Sequence, residues 1–173
     1  MKKNQKSKKY FGTDGIRGKT NQSLINEKFL SELSIALSVF FGKKKSLNRK
    51  IIIGKDTRLS SYMVESIITG VMLSRGWNCV SIGVIPTSAI SRAIKIGDFD
   101  FGIMISASHN SFEDNGIKIF NNKGEKLTDN EELQIEEIIN LKKQSPLCTD
   151  LKIGKIQKNE DVYENYKKYL LST

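Results

Sequence analysis

The sequence lacks the long apolar segments that a membrane protein needs. No apolar run approaches the roughly 20 residues that span a bilayer. The lysine-rich start is not followed by the apolar stretch of a signal peptide. We therefore expect a soluble, cytoplasmic protein with no membrane partner.

Cysteine and histidine are also scarce. Cys79 and Cys148 are far apart and form no CxxC pair, so two inert thiols in a reducing cytosol are the simplest interpretation. His109 is the only histidine. This argues against a Ser-His-Asp hydrolase, because His109 directly follows Ser108 and adjacent side chains on an extended loop commonly point apart.

The composition is that of an ordinary soluble protein with a basic start. The chain has 173 residues, of which 38% are hydrophobic and 27% charged, as is typical of one globular domain. Its net charge is +9, and five of the positive charges are lysines among the first nine residues. We interpret residues 1–9 as a basic, flexible tail. No aromatic residue precedes Tyr10, so nucleic acid is a less favoured partner.

Apolar residues recur in two alternating patterns from position 26 onward. Stripes at helical spacing alternate with short apolar runs rich in β-branched residues. This alternation is typical of a parallel or mostly parallel sheet with helices on its faces, so we predict an α/β fold. The predicted helices are residues 26–41, 61–75, 87–96 and one opened by a capping box at 128–131, and the predicted strands are 51–53, 79–82, 101–105 and 117–120.

One loop stands out within this pattern. The strand at 101–105 leads into Ser108, and Lys118 returns on the next predicted strand. Ligands of such sheets bind outside the carboxyl ends of the parallel strands. The loop after strand 51–53 lies at the same edge, so we expect Asp56 and Arg58 near Ser108, as a structural brace.

Residues 10–18 allow two interpretations. They hold three glycines and Arg17, which suit either a glycine-rich turn or a clamp for phosphate oxygens. Composition favours the turn. From the residues alone, a structural interpretation of Ser108 and His109 is likewise favoured over catalysis.

Four strings occur in an order that resembles a known family. They are residues 10–18 (YFGTDGIRG), 54–58 (GKDTR), 105–110 (ISASHN) and 114–118 (DNGIK). Together they resemble the α-D-phosphohexomutases, and most of all the phosphoglucosamine mutase branch of that family. The resemblance implies a three-layer α/β/α domain with a mostly parallel, mixed sheet.

The same resemblance implies a domain organisation. Residues 10–145 would form the first of four phosphohexomutase domains, and residues 146–173 a linker and helix leading toward the second. In that last segment Tyr163, Tyr166, Tyr169 and Leu170 are at helical spacing. This stripe needs a cover, so the segment either folds back or leads into another domain. The expected partners are domains 2–4 and a phosphorylated hexosamine substrate.

The resemblance also implies roles for the site residues. Ser108 would be the phosphoserine, and its phosphate would ligate Mg²⁺. Arg17 would bind phosphate and assist catalysis, and Lys118 would transfer a proton. His109 and Asn110 would contact phosphate or orient the loop. The implied isomerase reaction interconverts glucosamine 6-phosphate and glucosamine 1-phosphate, for UDP-N-acetylglucosamine and peptidoglycan precursors, with glucose or glucosamine 1,6-bisphosphate as activator.

Two departures from the family pattern limit this expectation. Ser111 stands where the family string usually has proline, and residues 98–100 (DFD) lack the further aspartate and arginine of the family's metal loop. The other Mg²⁺ ligands are thus expected in a missing domain, so we expect the chain alone to be inactive. The alternatives are a phosphomannomutase or phosphoglucomutase relative, and a non-catalytic phosphate- or nucleic-acid-binding remnant.

Overall fold

The computed structural model describes residues 8–43, 49–159 and 161–172. Those residues form one six-stranded sheet and five α-helices. The strands are β1 (Ile16–Lys19), β2 (Lys50–Lys55), β3 (Asn78–Val84), β4 (Phe101–Ile105), β5 (Asp114–Asn121) and β6 (Ile156–Lys158). The helices are α1 (Glu27–Gly42), α2 (Ser60–Leu73), α3 (Thr87–Ile96), α4 (Asp129–Asn140) and α5 (Asp161–Leu171), with a 3-10 turn at Asp150–Lys152.

The sheet is mostly parallel, as the sequence predicted. Its order is β1-β5-β4-β2-β3-β6. β4, β2, β3 and β6 run parallel to one another, while β5 is antiparallel to both β4 and β1. The carboxyl ends of β2 and β4 therefore lie together, and the chain enters β5 at that same edge.

Helices cover both faces of the sheet, which confirms the three-layer α/β/α fold. Ile51 and Ile53 pack into the core that α1, α2 and α4 cover, whereas Ile52 between them packs into a second core under α3. This division follows from the alternation of side chains along a strand. Phe41 of α1 stacks on Phe101 of β4 with ring centroids 4.1 Å apart.

Two predicted helix starts are confirmed by their caps. Asn26 Oδ1 accepts a hydrogen bond from the Phe29 N–H at 3.0 Å. Thr128 and Glu131 form the predicted capping box, in which each side chain accepts from the other residue's N–H. Both arrangements satisfy N–H groups that the first turn of a helix leaves without partners.

The start of the chain is docked earlier than we predicted. Lys8 Nζ lies 2.8 Å from Asp129 Oδ1 and 2.6 Å from Glu132 Oε2 on α4. Lys8 and Lys9 thus belong to the folded unit rather than to the predicted tail, because the acidic first turns of α4 bind them. The rest of that predicted tail, residues 1–7, lies outside the described residues.

The end of the chain folds back, which is one of the two alternatives that the sequence left open. β6 pairs with β3, and Val162 and Tyr166 of α5 pack against the second core. The reason is that β3 offers an open sheet edge and α3 offers an apolar face. Residues 146–173 are therefore more than a linker.

No helix within the three described ranges is long and apolar enough to cross a membrane.

Candidate active site

Ser108 lies in the loop between β4 and β5, at the carboxyl edge of the parallel strands. Its backbone is left-handed, with φ at 59°, and its N–H donates to Ser106 Oγ at 3.0 Å. Ser106 is buried whereas the Ser108 side chain is exposed. The loop therefore presents the Ser108 hydroxyl to solvent while holding its backbone.

Arg58 fixes this loop from the neighbouring strand end, as predicted. Its Nη2 donates to the carbonyl oxygens of Ser108 at 3.1 Å and Asn110 at 2.8 Å. Its Nη1 donates to Asp56 Oδ2. Asp56 and Arg58 thus form the brace that the sequence predicted, and they act on the loop backbone.

Asp56 is itself held as an anion. Its Oδ1 accepts from the Arg58 N–H at 3.0 Å and from Ser61 Oγ at 2.9 Å. Burial acts to raise the pKa of Asp56, but these hydrogen bonds, one from Ser106 and the Arg58 charge outweigh it and lower the pKa below its ordinary value.

His109 is poorly placed to activate Ser108. Its Nδ1 is 3.5 Å from Ser108 Oγ, which is longer than an effective proton-transfer contact. Both side chains are exposed. In this conformation the imidazole would have to move closer to Ser108 Oγ before it could take its proton.

Asp14 links two of the predicted site residues, Arg17 and Lys118, and Arg17 in turn contacts Asn110. Arg17 Nη1 donates to Asn110 Oδ1 at 3.1 Å, and Arg17 Nη2 donates to Asp14 Oδ2 at 2.6 Å. Lys118 Nζ lies 2.7 Å from the same Asp14 oxygen. Among the predicted site residues, the structure therefore joins Arg17 and Asn110 directly and Lys118 through Asp14.

Asp14 received no role from the sequence. Its partner Lys118 is about a hundred positions away, and only the pairing of β1 with β5 brings the two together. Burial acts to raise the pKa of Asp14, but the hydrogen bonds and charges of Lys118 and Arg17 lower it overall. The one sequence feature that could have indicated a role for Asp14 is its place in the glycine turn, three residues before Arg17.

Gly15 explains why the turn before β1 needs glycine. Its φ is 87°, and a Cβ there would lie 2.3 Å from the Ile117 carbonyl oxygen. The turn thus packs backbone to backbone against β5. This close approach places Asp14 beside Lys118.

The DNGIK string anchors the other side of the loop. Asn115 is fully buried, and its Nδ2 donates to Ser60 Oγ at 2.8 Å and Ser61 Oγ at 3.0 Å. Asn110 Nδ2 donates to Asp114 Oδ2 at 3.0 Å. The start of β5 is thereby tied both to α2 and to the Ser108 loop.

The described residues offer no ready metal site. Within those ranges no group of three or more His, Cys, Asp or Glu side chains is placed to hold an ion. Asp14 and Asp114 beside the loop already bind Lys118, Arg17 and Asn110. Asp100 lies at the opposite edge of the sheet, where it accepts from the Lys50 N–H at 2.8 Å.

The sequence matches one protein family. The family described as phosphoglucomutase/phosphomannomutase, α/β/α domain I, matches residues 8–146. A phosphoglucosamine mutase from Novosphingobium aromaticivorans is 41% identical over 160 residues, 92% of this chain and 35% of its own length. One from Helicobacter pylori strain G27 is 46% identical over 160 residues, 91% of this chain and 36% of its own. The chain thus spans about a third of the length of the curated relatives it matches.

Solved structures show the same fold. A phosphoglucomutase/phosphomannomutase family protein from Burkholderia thailandensis aligns with a TM-score of 0.79 and 18% identity, covering 94% of this chain and 35% of the other. The exocytosis-sensitive phosphoprotein parafusin, a phosphoglucomutase from Paramecium, aligns with a TM-score of 0.70 and 19% identity, covering 93% and 34%. At these identities the likeness concerns the fold.

Proposed function

The chain belongs to the phosphoglucomutase/phosphomannomutase family, and from this premise we propose that it supplies the phosphoserine domain of a phosphoglucosamine mutase. The observation that carries the proposal is the exposed hydroxyl of Ser108 on a loop whose backbone is fixed from both sides. The curated relatives described above bear the name phosphoglucosamine mutase. Our proposal that the substrate sugar is glucosamine phosphate therefore rests on the names of these relatives.

The proposed reaction transfers a phosphoryl group twice. The O–P bond of phosphorylated Ser108 breaks while the free hydroxyl of the sugar monophosphate forms a new O–P bond. That hydroxyl loses its proton, and the released Ser108 oxygen gains one. The resulting 1,6-bisphosphate then gives its other phosphoryl group back to Ser108. Glucosamine 6-phosphate and glucosamine 1-phosphate are thereby interconverted, and a 1,6-bisphosphate would restore an enzyme that has lost its phosphate.

The neighbouring side chains supply charge and position in this proposal. Arg17 and Lys118 would stabilise the negative charge of the phosphoryl group. Asn110 keeps Arg17 beside the loop, and exposed His109 is available to contact a phosphate oxygen. Lys118, which lies 2.7 Å from Asp14 Oδ2, would transfer a proton at the reacting hydroxyl.

Mg²⁺ would bind the phosphate carried by Ser108 and neutralise part of its charge. The described residues do not by themselves complete a site for it, since the nearby carboxylates are engaged by Asn110, Arg17 and Lys118. Mg²⁺ prefers six oxygen ligands. We propose that the remaining ligands, the sugar-recognition loop and the other phosphate-binding groups come from outside this chain, which is then inactive alone.

Intact-mass measurement after incubation with glucosamine 1,6-bisphosphate tests the proposal. The chain should gain one phosphate, and Ser108→Ala should gain none. Ser111→Ala, which removes another exposed hydroxyl of the same loop, should behave like the wild type. Phosphorylation that persists unchanged in Ser108→Ala would reject Ser108 as the acceptor.

A further inference from the structure

One oxygen of Asp14 holds the two cations that the proposed function assigns to phosphate. Arg17 Nη2 and Lys118 Nζ lie 2.6 Å and 2.7 Å from Asp14 Oδ2. Because both bind the same atom, the two positive groups are close neighbours. An anion between them offsets their mutual repulsion, and here that anion is a side chain of the protein.

This arrangement leaves Arg17 divided between two partners. A guanidinium binds phosphate best through two parallel N–H donors. Here Nη1 donates to Asn110 and Nη2 donates to Asp14. Two of the five N–H donors of Arg17 are thus engaged, and a phosphate that used either of them would displace its present partner.

Asp14 has room to give way. Its side chain is 48% exposed, and it lines an open depression of about 320 Å³ together with Gly12, Thr13 and Arg17. Asn110, by contrast, also donates to Asp114 and its backbone is held by Arg58. Of the two partners of Arg17, Asp14 is the more exposed, and its backbone is not held by Arg58.

We infer that Asp14 is an internal competitor of phosphate: it occupies Arg17 and Lys118 until a phosphoryl group takes them over. The inference rests on the proposed function, since it assumes that phosphate binds these cations. A dianion with three oxygens gains more from the two cations than a monoanion does. The competition therefore favours phosphate over anions such as chloride and acetate.

Titration with inorganic phosphate, followed through the amide signals of Gly12 and Gly15, tests the inference. Asp14→Asn should bind phosphate roughly three- to fivefold more tightly, the size expected when a partly exposed ion pair no longer competes. Glu113→Gln is a matched control, because Glu113 is 52% exposed and lies 2.9 Å from Lys19. It removes the same charge near the loop and should change the affinity less than about twofold.

Repeating Asp14→Asn in a Lys118→Met variant distinguishes competition for the two cations from a general effect of removing a negative charge. In Lys118→Met the gain from Asp14→Asn should shrink, because one of the two contested cations is gone. Equal or weaker binding by Asp14→Asn, with Asp14→Ala agreeing, would overturn the inference. If instead neither Arg17→Ala nor Lys118→Met weakens phosphate binding, phosphate does not use this site, and it is the proposed function that fails.

Discussion

At the scale of single residues, the Ser108 loop is held by its backbone, which leaves the hydroxyl free. The left-handed conformation of Ser108 costs a non-glycine residue on the order of 1–3 kcal/mol. The hydrogen bonds from the Ser108 N–H to Ser106 and from Arg58 to the Ser108 carbonyl oxygen offset that cost. In the proposed function the Ser108 side chain accepts and releases a phosphoryl group, and it is then not available to anchor the loop.

Asp56 makes this brace sensitive to pH. Its folded-state pKa lies below its ordinary value, which is about 3.9 in an unfolded chain. A depressed pKa contributes stability that is fully present above the unfolded value and is lost as the pH falls through the folded value. We expect Asp56→Asn to lower the free energy of unfolding at neutral pH by about 1–3 kcal/mol, since buried donors lose a charged acceptor.

Urea denaturation at pH values between 7 and 3 checks this prediction. The difference between wild type and Asp56→Asn should narrow as the pH falls below about 4. Asp150→Asn, which removes an exposed carboxylate away from the loop, should keep the wild-type profile. A difference that stayed constant with pH would mean that Asp56 contributes through its shape and not its charge.

Most of the candidate site residues can be recognised in the sequence, either by a local rule or by the motif in which they stand. Ser108, Arg17 and Lys118 came from the family strings, and the Asp56–Arg58 brace followed from the rule that strand ends meet. Asp14 was missed because its role depends on the pairing of β1 with β5. A contact between residues so distant in sequence leaves no periodic signal.

At the scale of secondary-structure elements, α4 anchors the segment that leads into the Arg17 turn. Glu136 is buried, and its carboxylate accepts from the N–H groups of Lys9, Tyr10 and Phe11 at 2.6–3.0 Å. Backbone donors at the start of a chain rarely find a partner inside secondary structure. α4 supplies one, and thereby fixes where the Gly12 turn begins.

We expect Glu136→Gln to lower the free energy of unfolding by about 2 kcal/mol, because the three donors lose a charged acceptor. Urea denaturation measures the loss. The neighbouring Glu137 is exposed, so Glu137→Gln provides a matched control whose effect should stay within about 0.5 kcal/mol. Equal effects of the two substitutions would show that Glu136 does not anchor the segment.

The sequence predicted the longer helices and strands but not the two short strands at the edges of the sheet. The four helices and four strands that were predicted from apolar patterns are all present. β1 and β6 have four and three residues, and the β6 residues are all exposed. Edge strands of this kind are defined by their neighbours, which a local pattern does not contain.

At the scale of the whole molecule, the sheet separates the site from the end of the chain. The Ser108 loop and the Arg17 turn adjoin β4, β5 and β1, whereas β6 and α5 lie beyond β3 at the other edge. The family match ends at residue 146, yet the fold continues to α5. The last segment therefore contributes to stability more than to the site.

A chain that ends at residue 146 tests this division. It would expose the β3 edge and the apolar face of α3, so we expect its free energy of unfolding to fall by about 1–3 kcal/mol. Urea denaturation should also give a smaller m-value, since less surface is buried. Phosphate titration of the shortened chain should give the wild-type affinity, because the cations lie at the opposite edge.

Two tyrosines on α5 test whether the last segment stabilises the fold without shortening the chain. Tyr166 packs against the second core, and its hydroxyl shares a hydrogen bond with Ser88 of α3, whereas Tyr163 is 54% exposed. Tyr166→Ala should therefore destabilise the protein by about 1–2 kcal/mol more than Tyr163→Ala does. If the two substitutions cost the same and the shortened chain is as stable as the full one, residues 146–173 do not belong to the folded unit, and its boundary lies where the family match ends.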